Sequence, residues 1–151
     1  MGRESDARRV ARSRRAARKL LTQAFYQLQL AGQPWRDVLQ QFAADPEFAG
    51  VDTEFFGTAL QQVAEGRAAL DARLARFADI PPEQLDPTEH GILLLGLYEL
   101  SERSDVPFRV VISEAVELAR RFGATDGHKF VNGVLDRAAR ELRAAEYGRG
   151  G

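Results

Sequence analysis

The chain has 151 residues, a formal net charge of −1 at pH 7 and no cysteine. A chain of this length fits one domain, or two tightly packed halves, and can bury enough apolar surface to fold without covalent cross-links. The absence of cysteine excludes disulfides, thiolate metal sites and cysteine nucleophiles, and two histidines are too few for a histidine-rich metal site. No apolar run approaches the roughly 20 residues that a membrane-spanning helix needs. We therefore expect no cofactor, no metal and no membrane contact.

Positive charge is concentrated near the amino terminus. Residues 1–19 carry eight basic side chains against two acidic ones, a net charge of +6, whereas the remaining residues carry a net charge of −7. This asymmetry predicts a polyanionic partner for the first segment, and a basic partner or only water for the rest.

Helical periodicity extends over the whole chain, without hairpin dipeptides or sustained alternation of apolar and polar residues. Apolar residues at spacings of three and four predict a first helix from about Ala7 to Ala31, ending at Gly32. Pro34 begins a short second helix. Asp52 can cap a long third helix that continues to about Phe77.

The second half predicts three further helices. The sequence Asp86-Pro87-Thr88-Glu89 combines a capping residue with a proline at the first helical position. The fourth helix that follows is apolar nearly all round, so we expect it to be the central, most buried one. The fifth helix ends at Phe122, which we expect inside, and Gly123 is expected to supply the left-handed residue after it.

Thr125 or Asp126 is expected to cap a sixth helix that runs to about Tyr147. The helices together predict an all-α fold, a compact bundle of six to seven helices in two packed sub-bundles that share the central helix. We expect residues 1–147 to form a single all-helical domain with a basic first helix. Residues 148–151 are expected to be a flexible Gly/Arg tail.

One face of the first helix is strongly basic. A helical wheel places four cations within about 60° of one another, with a tyrosine in line and the apolar stripe opposite. The members of this face are Arg8, Arg12, Arg15, Lys19 and Tyr26, with Arg14 and Arg18 flanking it.

A solvated charged face is the commoner explanation of such a helix, with the basic residues paired to the acidic remainder of the chain. Here, however, the arginines have few acidic residues within a turn, and like charges four apart repel by a few tenths of a kcal/mol. A nucleic acid would relieve that repulsion. Tyr26 and Phe130 can stack on unpaired bases, which favours RNA over duplex DNA. Core packing is the alternative for Phe130, although Lys129 beside it favours the surface.

Several segments resemble the NusB family. They include RRAARKLLTQAFYQLQL near the amino terminus and VDTEFFGTALQQVAEGRAALD in the third helix; the most specific is HKFVNGVLD after an FG turn. The resemblance implies an all-helical bacterial cytoplasmic protein without enzymatic activity. Members bind a single-stranded RNA element, boxA, together with NusE, a small ribosomal subunit protein. They act within an antitermination complex on RNA polymerase and support transcription of rRNA operons.

The resemblance also implies roles for particular residues. The expected RNA contacts are Arg8, Arg12, Arg14, Arg15, Arg18, Lys19, Tyr26, Lys129 and Phe130, of which Arg8, Arg12 and Lys19 come from the basic face alone. Glu89 and Asp126 match acidic positions around the protein partner. The chain departs from the family pattern at Lys19, His90, Leu94 and Ser113.

Two other classes of function compete with RNA binding. An acid–base enzyme built on Asp86, Glu89 and His90 is disfavoured, because the two carboxylates are explained as a helix start and the histidine lacks a nucleophile or metal-ligand partner. A helical protein-interaction adaptor without specific RNA recognition is the second alternative. An exposed partner face can also pair with itself, so a homodimer of the isolated protein is a further expectation.

Overall fold

The computed structural model describes residues 3–150, apart from the side chains of residues 3, 4 and 150. Over this range the chain forms eight α-helices and two short 3-10 turns and contains no strand, which confirms the all-α fold. The helices are α1 (Arg3–Ala31), α2 (Trp35–Ala43), α3 (Thr53–Glu65), α4 (Arg67–Ala78), α5 (Pro87–Glu102), α6 (Phe108–Phe122), α7 (Gly127–Leu142) and α8 (Ala144–Gly150).

The chain divides into two compact units, Met1–Ala64 and Glu65–Gly151. The first contains α1, α2 and nearly all of α3, and the second contains α4 to α8. The sequence predicts a central helix shared between sub-bundles, whereas α5 lies entirely within the second unit.

Local capping signals place the helix boundaries of the first unit. Gly32 adopts a left-handed φ of 68° and ends α1 as predicted. Asp52 Oδ1 accepts the N–H of Phe55 at 3.0 Å, so the predicted cap of α3 is confirmed. Inside this unit the Phe56 ring contacts the rings of Phe42 and Phe48, with centroids 5.8 and 5.2 Å away.

The predicted long third helix is in fact two helices. The chain leaves α-helical geometry at Gly66, with φ −100° and ψ 13°, and α4 starts at the next residue. Glycine is a poor helix former, and the apolar spacing is interrupted at Arg67, so the break follows from weak local propensity and missing core contacts. The boundary between the two units falls at this point.

Helix α5 is the buried centre of the second unit. Every residue from Glu89 to Leu100 is buried, and α4, α6 and α7 pack against the helix. Asp86 caps it by accepting the N–H groups of Thr88 and Glu89 at 2.9 and 3.3 Å. The prediction that this helix is the most buried one is confirmed.

The end of the chain contains a helix, α8, that the sequence does not predict. Helix α7 stops at Leu142 and α8 follows, so the segment predicted as a tail from Gly148 onward is helical as far as Gly150. Arg143, between the two helices, donates hydrogen bonds to three backbone carbonyls near the end of α5 at 2.8, 3.1 and 2.9 Å: those of Leu100, Glu99 and Arg103. Residue 151 lies outside the described residues.

Helix α8 also caps the start of α6. The Glu146 carboxylate accepts the N–H of Phe108 at 2.9 Å, and the Tyr147 ring stacks on the Phe108 ring with centroids 5.0 Å apart. Pro107, at the N-cap position, offers no side-chain acceptor of its own. Glu146 therefore satisfies a backbone donor that α6 cannot satisfy locally.

No helix within residues 3–150 combines the length and apolar character needed to cross a lipid bilayer.

The Glu146 contact makes one contribution to stability pH-dependent. The Phe108 N–H, and after it Arg143, hold the pKa of the Glu146 carboxyl below its ordinary value of 4.5. A lowered folded-state pKa stabilises the fold above the unfolded value, and this stabilisation is lost as the pH falls through the folded value. We expect Glu146→Gln to be less stable than the wild type in urea unfolding at pH 7. The difference should shrink steadily below about pH 4.5; a constant difference between pH 7 and pH 3 would contradict this assignment.

Candidate nucleic-acid interface

The basic row of α1, defined as Arg8, Arg12, Arg15 and Lys19, is accessible from solvent. The three arginines are exposed and the lysine is half-buried. Tyr26, in line with them, is 43% exposed. Within residues 5–149, whose side chains are described, Arg8, Arg12 and Lys19 form no ion pair. The basic row is thus a run of cations whose charge is only partly compensated.

Arg14 is held by the protein itself. Its Nε lies 3.3 Å from Asp52 Oδ2, and its guanidinium lies over the Phe55 ring, 5.2 Å from the centroid. The sequence does not reveal this ion pair, because Arg14 has no acidic residue within a turn and Asp52 lies far along the chain, at the start of α3. That carboxylate caps α3 and neutralises Arg14 at the same time.

Arg18 is buried, with 3% of its surface exposed. Its guanidinium also lies over the Phe55 ring, at 5.1 Å from the centroid. The sequence places Arg18 at the edge of the basic face, but Phe25 lies seven residues later on the same side of the helix and is buried. That spacing was the available signal that Arg18 faces the interior.

The α6–α7 turn, residues 123–126, departs from the expected geometry. Gly123 is extended, with φ −87° and ψ 179°, and the left-handed residue is Asp126, with φ 64°. Asp126 stands at the N-cap position of α7, but its side chain caps no N–H. Its Oδ1 lies instead 3.3 Å from Lys129 Nζ. The sequence predicts the position of the turn correctly. The predicted left-handed conformation of Gly123 and the predicted capping by the Asp126 side chain are wrong.

Glu89 fastens this turn to α5. The side chain is buried, and Oε2 accepts the Ala124 N–H at 3.0 Å. A Cβ on Gly127 would overlap that same oxygen and lie 2.7 Å from the carboxylate carbon, so a side chain at this position would require the Glu89 carboxylate to move. Glu89, expected at a partner interface, has its carboxylate directed into the protein's own turn.

Cationic and aromatic side chains are displayed on either side of the turn. The Lys129 side chain is 73% exposed, and Phe130 and His128 are half-buried. Phe122, which the sequence places inside, is 38% exposed. The core expectation for Phe122 is wrong, because α6 ends at this residue and its ring is left partly exposed to solvent.

The departures from the family pattern lie in different environments. His90 and Leu94 are buried within α5, and His90 Nε2 lies 2.6 Å from Asp71 Oδ1 of α4. Ser113 is exposed and lines a groove of about 470 Å³ between α6, α7 and α8. Across residues 5–149, no group of three or more histidine or carboxylate side chains is arranged to hold a metal ion.

Truncation of Arg18 should reduce the stability of the protein much more than truncation of Arg12. Because Arg18 is buried against Phe55, we expect Arg18→Ala to lower the free energy of unfolding by about 1–3 kcal/mol. Arg12→Ala, on the exposed row, should change it by no more than about 0.5 kcal/mol. Urea unfolding followed by circular dichroism measures both, and equal effects of the two substitutions would contradict this division of the arginines.

The fit of Glu89 against Gly127 is testable with two glycines of the same helix. Gly127→Ala should displace the carboxylate and lower the free energy of unfolding by about 1–3 kcal/mol, as overpacking does. Gly133→Ala is the control, because its Cβ would be 3.6 Å from Arg137 Nη1, an ordinary contact. The control should gain up to about 1 kcal/mol from helix propensity. Equal stabilisation by both substitutions would show that Glu89 moves without cost.

Comparison with known proteins is consistent across sequence and structure. The NusB family model matches residues 15–140. The transcription antitermination protein NusB of Alcanivorax borkumensis is 50% identical over 134 residues, covering 89% of each chain. The protein of the same name from Pseudomonas entomophila is 49% identical over 144 residues, covering 94% of this chain and 87% of the relative.

Among solved structures, T. maritima NusB matches with a TM-score of 0.75 at 26% sequence identity. The match covers 89% of this chain and 96% of that one. The shared fold therefore extends over nearly the whole of both chains.

Proposed function

This chain belongs to the NusB family, and from that premise we propose that it binds single-stranded boxA-type RNA together with NusE, a small ribosomal subunit protein. As a family member it is a transcription antitermination factor, which is the name that its relatives carry. In our proposal it supports processive transcription of rRNA operons in the bacterial cytoplasm, as part of an antitermination complex on RNA polymerase.

The observation that carries the RNA proposal is the basic row of α1. Arg8, Arg12 and Lys19 are accessible and form no ion pair within residues 5–149. The distance along the helix from Arg8 to Lys19 is roughly 17 Å, enough to contact several successive phosphates. Tyr26, exposed on the same face, supplies a ring on which an unpaired base can stack.

The two flanking arginines support this row in different ways. Arg14 retains partial exposure, so a phosphate can exchange with Asp52 at its guanidinium. Arg18 is buried on Phe55, and we assign it to fixing the orientation of α1. Arg15, exposed within the row, is the family-motif arginine that we expect to contact RNA most directly.

The second unit contributes its own cation and ring. Lys129 is largely exposed, and its ion pair with Asp126 is weak because exposed ion pairs contribute little. A phosphate can therefore replace the Asp126 carboxylate beside Lys129 at little cost. Phe130, half-buried in the first turn of α7, is positioned by that helix for base contact. Anions are favoured near a helix amino terminus, which adds to the attraction.

NusE is proposed to meet the acidic part of the chain. Asp126 is exposed and can contact a basic protein, whereas Glu89 acts indirectly by holding the turn that carries Asp126. A net charge of −7 beyond residue 19 favours encounter with a basic ribosomal protein. In the absence of NusE, the same face is proposed to be available for pairing with a second copy of this chain.

The binding proposal is tested by fluorescence anisotropy of a labelled boxA-like strand, with and without NusE. We expect tighter, sequence-dependent binding when NusE is present, and a log–log salt slope of about −0.7 per phosphate neutralised. A scrambled strand is measured alongside. Equal binding to both strands, unaffected by NusE, would replace RNA recognition by a protein-interaction role.

Charge variants then locate the RNA contacts. We expect Arg12→Gln or Arg15→Gln to weaken boxA binding several-fold and to make the salt slope less negative by about 0.7. Arg36→Gln is the control, because Arg36 is an exposed cation on α2 that stacks on Trp35, at 4.8 Å from its ring centroid. An equal loss for Arg36→Gln would indicate a diffuse charge effect in place of a defined row.

A further inference from the structure

An exposed cation and aromatic ring stand together at the carboxyl end of α6. The guanidinium of Arg121 lies over the Phe122 ring, 5.1 Å from its centroid, and the ring is 38% exposed. Within residues 5–149, Arg121 makes no ion pair, whereas its neighbour Arg120 pairs with Glu117 at 3.2 Å. Among the residues whose side chains are described, the Arg121 cation therefore contacts the Phe122 ring and forms no ion pair.

The backbone around this pair is fixed. Phe122 is the last residue of α6, and only the α6–α7 turn separates it from α7. That turn is anchored by the bond from the Ala124 N–H to the buried Glu89 carboxylate. The ring is thus presented by a helix end and an anchored turn, which reduces the entropy lost when a ligand stacks on it.

The charges around the turn favour an anionic ligand. Between residues 117 and 130 the two exposed carboxylates, Glu117 and Asp126, each have a cation beside them, namely Arg120 and Lys129. Arg121 has no such partner there. The uncompensated Arg121 guanidinium would repel a basic protein segment, whereas it would attract a polyanion.

We infer that Arg121 and Phe122 form a stacking platform for an unpaired base of single-stranded RNA, adjoining the phosphate contact of Lys129. This assignment rests on the proposed function and extends it, because the resemblance implies RNA contacts in this region only for Lys129 and Phe130. Unpaired bases stack on aromatic rings and on guanidinium planes, and this pair offers both surfaces. Lys129, early in α7 across the turn, supplies the charge for the neighbouring phosphate.

The platform is tested with a boxA-like strand carrying 2-aminopurine, whose fluorescence falls when the base stacks. Phe122→Leu should weaken binding by about five- to twentyfold, within the range measured for one base–aromatic contact. It should also leave the salt slope unchanged, because no charge is removed. Phe122→Tyr, which keeps a ring, should bind within about twofold of the wild type. At one 2-aminopurine position, quenching should be lost in Phe122→Leu and retained in Phe122→Tyr.

The matched charge control lies one residue earlier in the same helix. Arg121→Gln should weaken binding several-fold. Arg120→Gln removes the same charge from a side chain that pairs with Glu117, whereas the Arg121 guanidinium lies over the Phe122 ring, so Arg120→Gln should weaken binding clearly less. Urea unfolding of each variant verifies that the fold is retained, which the exposed positions favour.

The outcomes separate this inference from the proposed function. If the wild type binds boxA-like RNA and Phe122→Leu binds equally well with its quenching intact, the platform is overturned while RNA binding stands. If Phe122→Leu reduces binding of NusE and leaves binding of RNA unchanged, the pair is a protein contact and the inference is wrong. If the wild type itself fails to bind any strand with or without NusE, the proposed function and the platform fall together.

Discussion

Helix α5 has no face turned to solvent, and the second unit is arranged to satisfy that condition. A helix buried along most of its length needs packing partners on several sides, and α4, α6 and α7 are three of them. Burial extends to the polar start of the helix, where the Glu89 carboxylate requires a donor. The Ala124 N–H provides it, and glycine at position 127 leaves the space. The burial of one helix is thus linked to the position of the turn between Phe122 and Lys129.

In the first unit, the main constraint is that one helix, α1, carries many side chains of like charge. Arginines that face Phe55 are neutralised or stacked within the protein, as Arg14 and Arg18 show. Those on the opposite side remain in solvent, where repulsion between neighbours is weak and screened. A single arginine-rich segment therefore contains both packing residues and residues available to a ligand, and the burial of each side chain distinguishes the two groups.

Features set by local chemistry were predictable from the sequence. The caps at Asp52 and Asp86, the end of α1 at Gly32 and the burial of α5 follow from neighbouring residues and apolar periodicity. Features that depend on distant partners were not. Asp52 reaches Arg14 across 38 positions, and Glu89 reaches Ala124 across 35. The exposure of Phe122 and the folding of α8 onto α6 likewise depend on what packs nearby, which periodicity alone does not specify.

The contacts of α8 have a consequence for the order in which the chain is made. Translation produces the carboxyl end of α5 and the amino end of α6 before it produces Arg143 and Glu146. Until those two residues emerge, the carbonyls near Leu100 and the N–H of Phe108 lack their side-chain partners. A nascent chain halted short of residue 143 would hold α5 and α6 with frayed ends and exposed apolar surface, a state open to chaperones and proteases. Completion of the second unit is in this sense a late event of biosynthesis.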